Sequence, residues 1–517
     1  VTATVHGDHR YDDLFPNTIS PEHRKRVDAF EREYLTAVDA IDPTALNDND
    51  RTSWEIFRRD RVTGLEALRF PDHLMPVDQL FSVPVVFVEF AVPGGLTPFE
   101  TAEDYDEFLS RIDGFAVWMD QAVTNMREGV ERGVVLPEII VDKTLPVLES
   151  QIVTTPEESD FYRAVREFPD TVSESERTRL RGAYAAAIET EIIPAYRKVH
   201  DFLRDEYRPH ARQTIGLSDL PDGEAWYRFA IRLHANSEQT PQEIHDVGLR
   251  EVERIRGEME LLAAEVGFGG DLTQLFAWLR EQKQLRYSSE DDVLERYRAI
   301  RARVEPHLGK LFSLQPRTEF EIRPVEPFRQ ATTPGAYYMP PSDDGTRPGV
   351  FFVNTGGWEW REHSPAEALF LHEAVPGHHF QVALAREMTS LPRFRRASQY
   401  TAYVEGWALY TESLGAELGV YKDPFQRLGR LRSKMFRAQR LVVDTGIHAL
   451  GWTRERALAQ MPMEVEIDRY IVLPGQALAY KSGELRIQAL RRRAERELGD
   501  RFDIRAFHAV ALEEGAL

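Results

Sequence analysis

The sequence contains no cysteine among its 517 residues, so disulfide bonds and thiolate metal ligands are excluded. Any bound metal ion would have to be held by His, Asp or Glu side chains. No run of about 18 apolar residues occurs, and no membrane-spanning helix is therefore predicted. The opening stretch VTATVHGDHRYDDLFP also lacks the basic and apolar regions of a signal peptide. We accordingly expect a cytoplasmic protein, although a first residue of Val rather than Met is compatible with a removed segment.

Basic residues are in the minority. The 64 Lys and Arg residues stand against 85 Asp and Glu residues, which gives a formal net charge of −21. Such a chain should be repelled by nucleic acids and by anionic membrane surfaces, so we expect neither as a partner. A short peptide or another small molecule is the expected substrate. The sequence leaves the oligomeric state open, a homodimer included.

Apolar residues recur at helical spacings over most of the chain. Clear examples are residues 20–42, 103–132, 157–168, 174–208, 240–266, 395–463 and 474–498. The Thr240-Pro241-Gln242-Glu243 segment has the pattern of a helix capping box. These signals predict a mainly α protein.

One stretch departs from the helical pattern. Residues 319–325, 336–339 and 350–354 are short β-rich runs separated by Pro, Gly and Asp turns. They predict a small antiparallel sheet of two to four strands, next to the metal-binding helix described below. The predicted architecture is one large helical domain over residues 1–517. Within it, two lobes of about 1–230 and 231–517 could flank a cleft.

The strongest chemical signal is a His-Glu pair on a predicted helix. The segment from Ser364 to Glu367 has the pattern of a capping box, and the helix that it opens presents His372 and Glu373. Neutral imidazoles bind Zn²⁺, and an adjacent carboxylate can take a proton from a water whose pKa the metal lowers. We therefore predict one zinc ion bound by His372, with Glu373 as the general base.

Two residues compete to be the second histidine ligand. On an undistorted helix, His378 lies about 120° from the face of His372, while His379 lies only about 20° from it. However, Pro376 and Gly377 lie between, and both favour a break or bulge that could bring His378 back to the metal. We favour His378 as the ligand and assign His379 to a supporting hydrogen bond or a substrate contact. The assignment of His379 as the ligand stays open.

The third ligand should come from a following helix. Glu405 in the segment TAYVEGWALYTESLG is the best candidate, because the neighbouring Gly406 allows a close backbone approach. Glu412 is the reserve candidate, since it lies two helical turns later on roughly the same face. The aromatic residues of this segment are expected to pack in the core.

Two motifs of this chain resemble those of the bacterial family known as domain of unknown function 885. The first is His-Glu-x-x-Pro-Gly-His-His-x-Gln at 372–381, and the second is Glu-Gly-Trp-Ala-Leu-Tyr at 405–410. The blocks at 240–255, 474–487 and 502–517 extend the resemblance. It implies a zincin-like, mostly helical fold similar to the helical gluzincins, in which two His and one Glu bind zinc and a C-terminal Tyr or His stabilises the oxyanion.

Following this resemblance, Tyr480 and His508 are candidates for the oxyanion-stabilising residue. Tyr337 and Tyr338, on a predicted strand, could contact the substrate backbone or pack in the core. His245 is expected to be structural. The basic residues Arg486 and Arg491–Arg493 could hold a substrate carboxylate, but a basic run on a helix is usually a solvated face.

These observations favour a zinc metallopeptidase of carboxypeptidase or oligopeptidase type that cleaves short peptides. Two alternatives remain. One is a metal-dependent hydrolase of a small-molecule amide or ester, and the other is a non-catalytic zinc-binding protein. Glu373 argues against the second alternative, because a structural zinc site needs no base.

Overall fold

A computed structural model describes residues 2–5, 8–93, 95–326, 330, 335–342, 347–397 and 400–515 of the chain. Its longer helices are, in order, α1 Pro21–Asp39, α2 Asp48–Ala67, α3 Ala102–Arg132, α4 Glu138–Glu149, α5 Glu174–Ala187, α6 Ile193–Phe202, α7 Gly223–Ala235, α8 Pro241–Glu265, α9 Leu272–Glu281, α10 Glu290–Val304, α11 Ala366–Glu373, α12 His378–Glu387, α13 Thr401–Thr411, α14 Pro424–Ala449, α15 Arg454–Gln460, α16 Glu464–Val472, α17 Ala479–Leu498 and α18 Ile504–Leu512. The prediction of a mainly α protein is confirmed.

The helix starts follow local capping chemistry. Ser20 accepts a hydrogen bond from the backbone of His23 at the start of α1. Thr240 and Glu243 form the predicted capping box of α8. The predicted helix over 174–208 is present but contains two π-helical stretches, at Ile188–Ile192 and Leu203–Tyr207. The predicted helix over 157–168 is wrong, since this range contains the short 3₁₀ helices Pro156–Glu158 and Asp160–Val165 and no α-helix.

The predicted capping box of α11 is wrong. The cap position of this helix is Pro365, and no side chain caps it. The hydroxyl group of Ser364 is buried without a hydrogen-bond partner among the described residues. The carboxylate of Glu367 instead accepts a hydrogen bond of 2.9 Å from Gln426 and pairs with Arg303 at 3.1 Å. The carboxylate of Glu367 is therefore engaged by a guanidinium and an amide from other helices, and it does not bond to the backbone at the start of α11 as a capping box requires.

Strands β1 Phe320–Pro324, β2 Ala336–Met339 and β3 Gly349–Val353 form a single sheet in the order β1-β3-β2. All five residues of the central strand β3 are buried. The three predicted strand positions are confirmed, but the sheet is mixed. Strand β2 is antiparallel to β3, whereas β1 is parallel to it, with Phe320 beside Gly349. The expectation of a wholly antiparallel sheet is therefore wrong. After β1 the chain passes to the other edge of the sheet to form β2, and β3 then lies between the two, parallel to β1 and antiparallel to β2.

Two large apolar cores hold the molecule together. The first surrounds α3 and also receives side chains from α8, α14 and α16, so it joins residues on both sides of position 230. The second joins the sheet to α10, α11, α12 and α13, with the ring of Phe370 lying 6.1 Å from that of Phe351. The sheet therefore lies directly against the helix of the His-Glu pair, as predicted. The proposed lobe boundary near residue 230 stays a prediction.

Candidate metal centre

The helix that carries His372 ends at Glu373, and α12 begins again at His378. Between them the backbone folds back so tightly that a Cβ atom on Gly377 would overlap the carbonyl oxygens of Leu371 and His372. Only glycine fits there. The sequence predicted a distortion at this point, and the structure shows a complete break between two helices.

Helix α13 holds this break in place. The indole of Trp407 donates a hydrogen bond of 2.8 Å to the carbonyl of Pro376. The hydroxyl of Thr411 donates one of the same length to the carbonyl of Leu371. Carbonyl groups that the interrupted helix leaves without intrahelical partners are thereby satisfied. The break is fixed by specific contacts, and so is the direction in which His378 leaves it.

The break brings His378 beside His372, with ring centroids 4.8 Å apart. The Nε2 atoms of both rings lie 3.5 Å from one oxygen of Glu405 on α13. The three ligand atoms all fall within 4.8 Å of one another. His372 is almost fully buried, whereas the side chains of His378 and Glu405 keep 13% and 18% of their exposure, so solvent reaches one side of this cluster.

The cluster fits a tetrahedral metal ion. Two ligands at about 2.1 Å from one zinc ion stand roughly 3.4 Å apart, which is close to both His–Glu405 separations. The Oε2 atom of Glu405 is buried without a hydrogen-bond partner among the described residues. Such an oxygen is costly unless it is paired, and coordination to a cation would pair it.

Glu412 supports the site from behind. Its Oε1 atom lies 3.0 Å from Nδ1 of His372, on the opposite side of the ring from Glu405. A histidine that binds metal through one nitrogen usually donates its other N–H to a carboxylate in this way. The reserve candidate for the third ligand therefore lies where it would orient a ligand, and the structure does not group it with the ligand atoms.

The charges of the cluster are strongly coupled. Burial disfavours a charged His372, but the carboxylates of Glu405 and Glu412 outweigh it and raise the pKa of His372 to about 9. Burial also opposes ionisation of Glu405, yet its contacts with His372 and His378 hold the pKa of this carboxyl well below its usual range. A carboxylate that stays ionised among histidines is suited to bind a cation.

Glu373 follows His372 directly and is only partly buried. Burial raises the pKa of its carboxyl group, against the opposing influence of His378 and His372. A raised pKa is typical of a carboxylate that accepts and returns protons near neutral pH. The structure therefore places the predicted general base within the electrostatic reach of both histidines.

Tyr480, at the start of α17, borders the cluster. Its ring stacks on that of His372, with centroids 6.4 Å apart and an angle of 14° between the planes. The guanidinium of Arg440 lies over the ring of Tyr480, 4.4 Å from its centroid, in cation–π geometry. Tyr480 is thus a neighbour of the metal ligands and stays a candidate for oxyanion stabilisation.

His379 points away from the cluster. Its Nδ1 atom lies 3.0 Å from the hydroxyl of Tyr338, and its Nε2 atom lies 3.1 Å from the carbonyl of Thr318. Burial lowers the pKa of His379 to about 4. Both nitrogens are engaged with the sheet side of the molecule, so His379 is placed as a support of α12 against β2 and not as a metal ligand.

His508 is also held elsewhere. Its Nε2 atom lies 2.8 Å from the hydroxyl of Tyr410, and its Nδ1 atom lies 2.9 Å from the carbonyl of Leu311. The ring is fully buried and stacks on Phe312. With both nitrogens occupied, His508 has no free donor for an oxyanion, and the structure does not bring it to the cluster.

The remaining candidates have structural surroundings. Tyr337 stacks on Phe352 of β3. His245 is buried, with Nδ1 at 2.9 Å from the hydroxyl of Thr445. The basic run of α17 lies on a solvated face, where Arg486 is exposed and Arg491 and Arg493 pair with glutamates one turn ahead. The aromatic side chains Trp407 and Tyr410 lie in the second core, as expected.

The sequence did not single out Arg437, whose charge acts on the carboxylate of Glu373. Its position on α14, a helix far along the chain from the His-Glu pair, hid this proximity. The one available signal was the recurrence of basic residues at Arg430, Lys434 and Arg437, which places them on one helical face.

Comparison with known proteins identifies the family. The family described as "Bacterial protein of unknown function (DUF885)" matches residues 1–517, and the chain belongs to it. A crystal structure of a proposed lipoprotein from Colwellia psychrerythraea is similar, with 27% identity, a TM-score of 0.92, and coverage of 100% of this chain and 93% of the other. A proposed lipoprotein of unknown function from Shewanella oneidensis shares the fold, with 18% identity, a TM-score of 0.74, and coverage of 100% and 94%. No curated protein matches the chain.

These relatives correct one expectation. Both solved proteins are described as proposed lipoproteins, a class that is exported and anchored to membranes, so the expected cytoplasmic location is contradicted. The expectation failed because residues 1–16, on which it rested, say nothing about a segment that precedes them. Among the described residues, none of the helices combines the length and apolar character needed to cross a bilayer.

Proposed function

We propose that this member of the DUF885 family is a zinc-dependent hydrolase of zincin-like type whose substrates are short peptides. The observation that carries the proposal is the convergence of His372, His378 and Glu405, with the partnerless oxygen of Glu405 at 3.5 Å from both rings. The ligand set of two histidines and one glutamate is that of catalytic zinc sites, which leave one coordination position open. Partial exposure of His378 and Glu405 provides access for a substrate.

Zinc bound at these side chains would lower the pKa of a coordinated water to about 7 and polarise the scissile carbonyl. Glu373 takes a proton from the attacking water and returns it to the leaving amine, which its raised pKa permits. Tyr480, whose ring stacks on that of His372, would donate its phenol hydrogen to the developing oxyanion. Glu412 fixes the orientation of the His372 ring.

We also propose that the protein acts outside the cytoplasm as a lipoprotein, which is how the two solved relatives named above are described. A peptidase in that compartment would meet short peptides before their uptake. The formal charge of −21 would keep the catalytic domain away from an anionic membrane surface, to which only an anchor would hold it.

The test is to strip the purified chain of metal with a chelator, restore zinc, and follow cleavage of a mixed library of short peptides. We expect cleavage only with zinc restored. Glu373→Gln should keep its zinc but reduce the rate by about 10²- to 10⁴-fold, because it removes the proton acceptor and leaves the ligands intact.

Glu359→Gln, a change at an exposed glutamate in the short 3₁₀ helix Trp358–Trp360 that precedes α11, serves as the matched control and should leave the rate unchanged. A zinc-loaded protein that cleaves no peptide would contradict the proposal, as would a Glu373→Gln variant with full activity. Parallel incubation with small acylated amides and esters would then show whether the bond cleaved belongs to another class of substrate.

A further inference from the structure

Helix α14 runs alongside the helix of the His-Glu pair. A Cβ atom on Gly429 would overlap the carbonyl group of Ser364, so the two backbones touch there. Eight residues beyond Gly429, α14 reaches Arg437. Eight residues beyond Pro365, the cap position of α11 that also lies against Gly429, the chain reaches Glu373, and each step is a rise of about 12 Å. The action of the Arg437 charge on the Glu373 carboxylate agrees with this alignment. Arg437 therefore lies within electrostatic reach of the proposed general base, about one helical turn before Arg440, which lies over the ring of Tyr480.

Arg437 differs from most other basic residues of α14. Four of them pair with carboxylates, namely Arg427 with Glu265, Arg432 with Glu362, Lys434 with Glu484, and Arg440 with Glu466. Within the described part of the chain, Arg437 has no carboxylate partner. Its Nη1 atom donates to the hydroxyl of Ser433 at 2.6 Å, and its Nε atom is buried without any acceptor.

The guanidinium of Arg440, on the same helix, lies next to a neighbour of the cluster. Arg440 lies over the ring of Tyr480, and its Nη1 atom is also buried without an acceptor among the described residues. Arg440 is neutralised by Glu466, at 3.0 Å, but Arg437 is not. In a chain with a net charge of −21, a guanidinium that has no carboxylate partner and acts on the carboxylate of the proposed general base stands out.

An unpaired, half-buried guanidinium costs free energy unless an anion binds it, and guanidinium groups bind carboxylates through parallel hydrogen bonds. We propose that Arg437 binds the free carboxylate of the substrate, so that the enzyme selects short peptides whose free C-terminal carboxylate lies within reach of the scissile bond. This inference rests on the proposed function and assigns a carboxypeptidase-type specificity to it. Arg437 would then be a specificity-determining residue.

The experiment uses two matched libraries of N-acetylated tetrapeptides, one with free C-terminal carboxylates and one with C-terminal amides. We expect the zinc-loaded protein to cleave the free acids with a kcat/KM at least about tenfold higher, the size of one charged hydrogen bond. Arg437→Gln should lose this preference through a raised KM, whereas Arg437→Lys should retain part of it. Arg427→Gln, on the same helix but paired with the distant Glu265, is the control and should behave as wild type.

Binding to the Glu373→Gln variant, measured by calorimetry, gives a second reading that needs no turnover. Free acids should bind about 10- to 100-fold more tightly than amides, and adding Arg437→Gln should abolish the difference. Cleavage of both libraries at equal rates would overturn this inference and leave the proposed function standing. Tighter, Arg437-dependent binding of the acids without any cleavage would overturn the peptidase and keep the anion site. Equal binding of acids and amides would overturn the inference.

Discussion

Two charged clusters lie close together in this protein and differ in one respect. The open cluster consists of His372, His378 and Glu405, and its Glu405 oxygen has no hydrogen-bond partner among the described residues. The closed cluster consists of Glu251, Lys434, Lys481 and Glu484, which join α8, α14 and α17. The two clusters meet where α13 packs on α17, since a Cβ atom on either Gly406 or Gly483 would overlap the backbone of the other helix.

The closed cluster is fully paired. The ammonium group of Lys481 lies 2.7 Å from Glu484 and 2.8 Å from Glu251. The ammonium group of Lys434 lies 3.0 Å from the other oxygen of Glu484, which also accepts from Gln488 at 2.8 Å. Lys481 and Glu484 have no exposed side-chain surface at all. Glu251 also accepts hydrogen bonds from Arg254, so every charge of this cluster has a partner of opposite sign without any ligand.

This difference in pairing distinguishes a cluster that stabilises the fold from a cluster that can bind a ligand. A buried network in which every charge has a partner fixes the relative positions of helices and has no capacity left for a ligand. A cluster with a partnerless carboxylate oxygen and solvent access has that capacity, at a cost in stability that the framework must bear. Changes in the open cluster should therefore affect metal binding and activity, and changes in the closed cluster should affect folding.

The largest expected effect is the loss of metal from the open cluster. His378→Ala removes one of three ligands and should reduce bound zinc from about one ion per chain to nearly none, with activity lost as well. His379→Ala should keep its zinc, because this ring faces Tyr338 and Thr318. Zinc content by mass spectrometry, on protein purified with equal metal exposure, measures both variants.

The two variants control for each other, since His378 and His379 are adjacent residues of the same type. Loss of zinc from His379→Ala alone would show that His379, which an undistorted helix favours, is the second ligand. Unfolding of His378→Ala at a denaturant concentration similar to that of the metal-free wild type would show that its lost zinc reflects a lost ligand.

The next effect belongs to the closed cluster. Glu484→Gln leaves Lys434 without a carboxylate partner among the described residues and Lys481 with Glu251 alone, and should lower the free energy of unfolding by about 3–5 kcal/mol. The folded fraction should still bind zinc. Urea titration followed by circular dichroism gives the loss of stability.

Glu497→Gln is the matched control on the same helix. Its carboxylate pairs with Arg493 on the surface, with both side chains more than half exposed, and its removal should change the stability by less than about 0.5 kcal/mol. A Glu484→Gln protein as stable as this control would break the distinction between the two clusters.

Much of this arrangement could be predicted from the sequence, and the failures have physical causes. His372, Glu373 and Glu405 stand in local patterns whose chemistry is evident from residue type and spacing. The choice of His378 depended on a backbone path that only the steric demand at Gly377 hints at. Glu412 and Arg437 could not be placed, because their roles depend on how α13 and α14 pack against α11.

The parallel pairing of β1 with β3 and the cross-helix partners of Glu367 belong to the same class of long-range contacts. Local periodicity gives the position of an element, while pairing direction and side-chain partners depend on residues far away in the chain. The location was predicted wrongly for another reason, because that prediction rested on the first residues of the given sequence and not on packing.

The smallest expected effect tests the boundary between the clusters. Glu412 is as buried as Glu484, yet it contacts a residue of the open cluster, and its second oxygen has no partner among the described residues. Glu412→Gln keeps an oxygen that can accept from Nδ1 of His372 but removes the charge. If Glu412 serves the metal, zinc affinity should fall by about 10- to 100-fold with little loss of stability. If Glu412 serves the framework, the free energy of unfolding should fall and the zinc affinity should not.

Competition with a zinc chelator measures the affinity, and urea titration measures the stability. Glu417→Gln, at an exposed position five residues later, provides the baseline for both measurements.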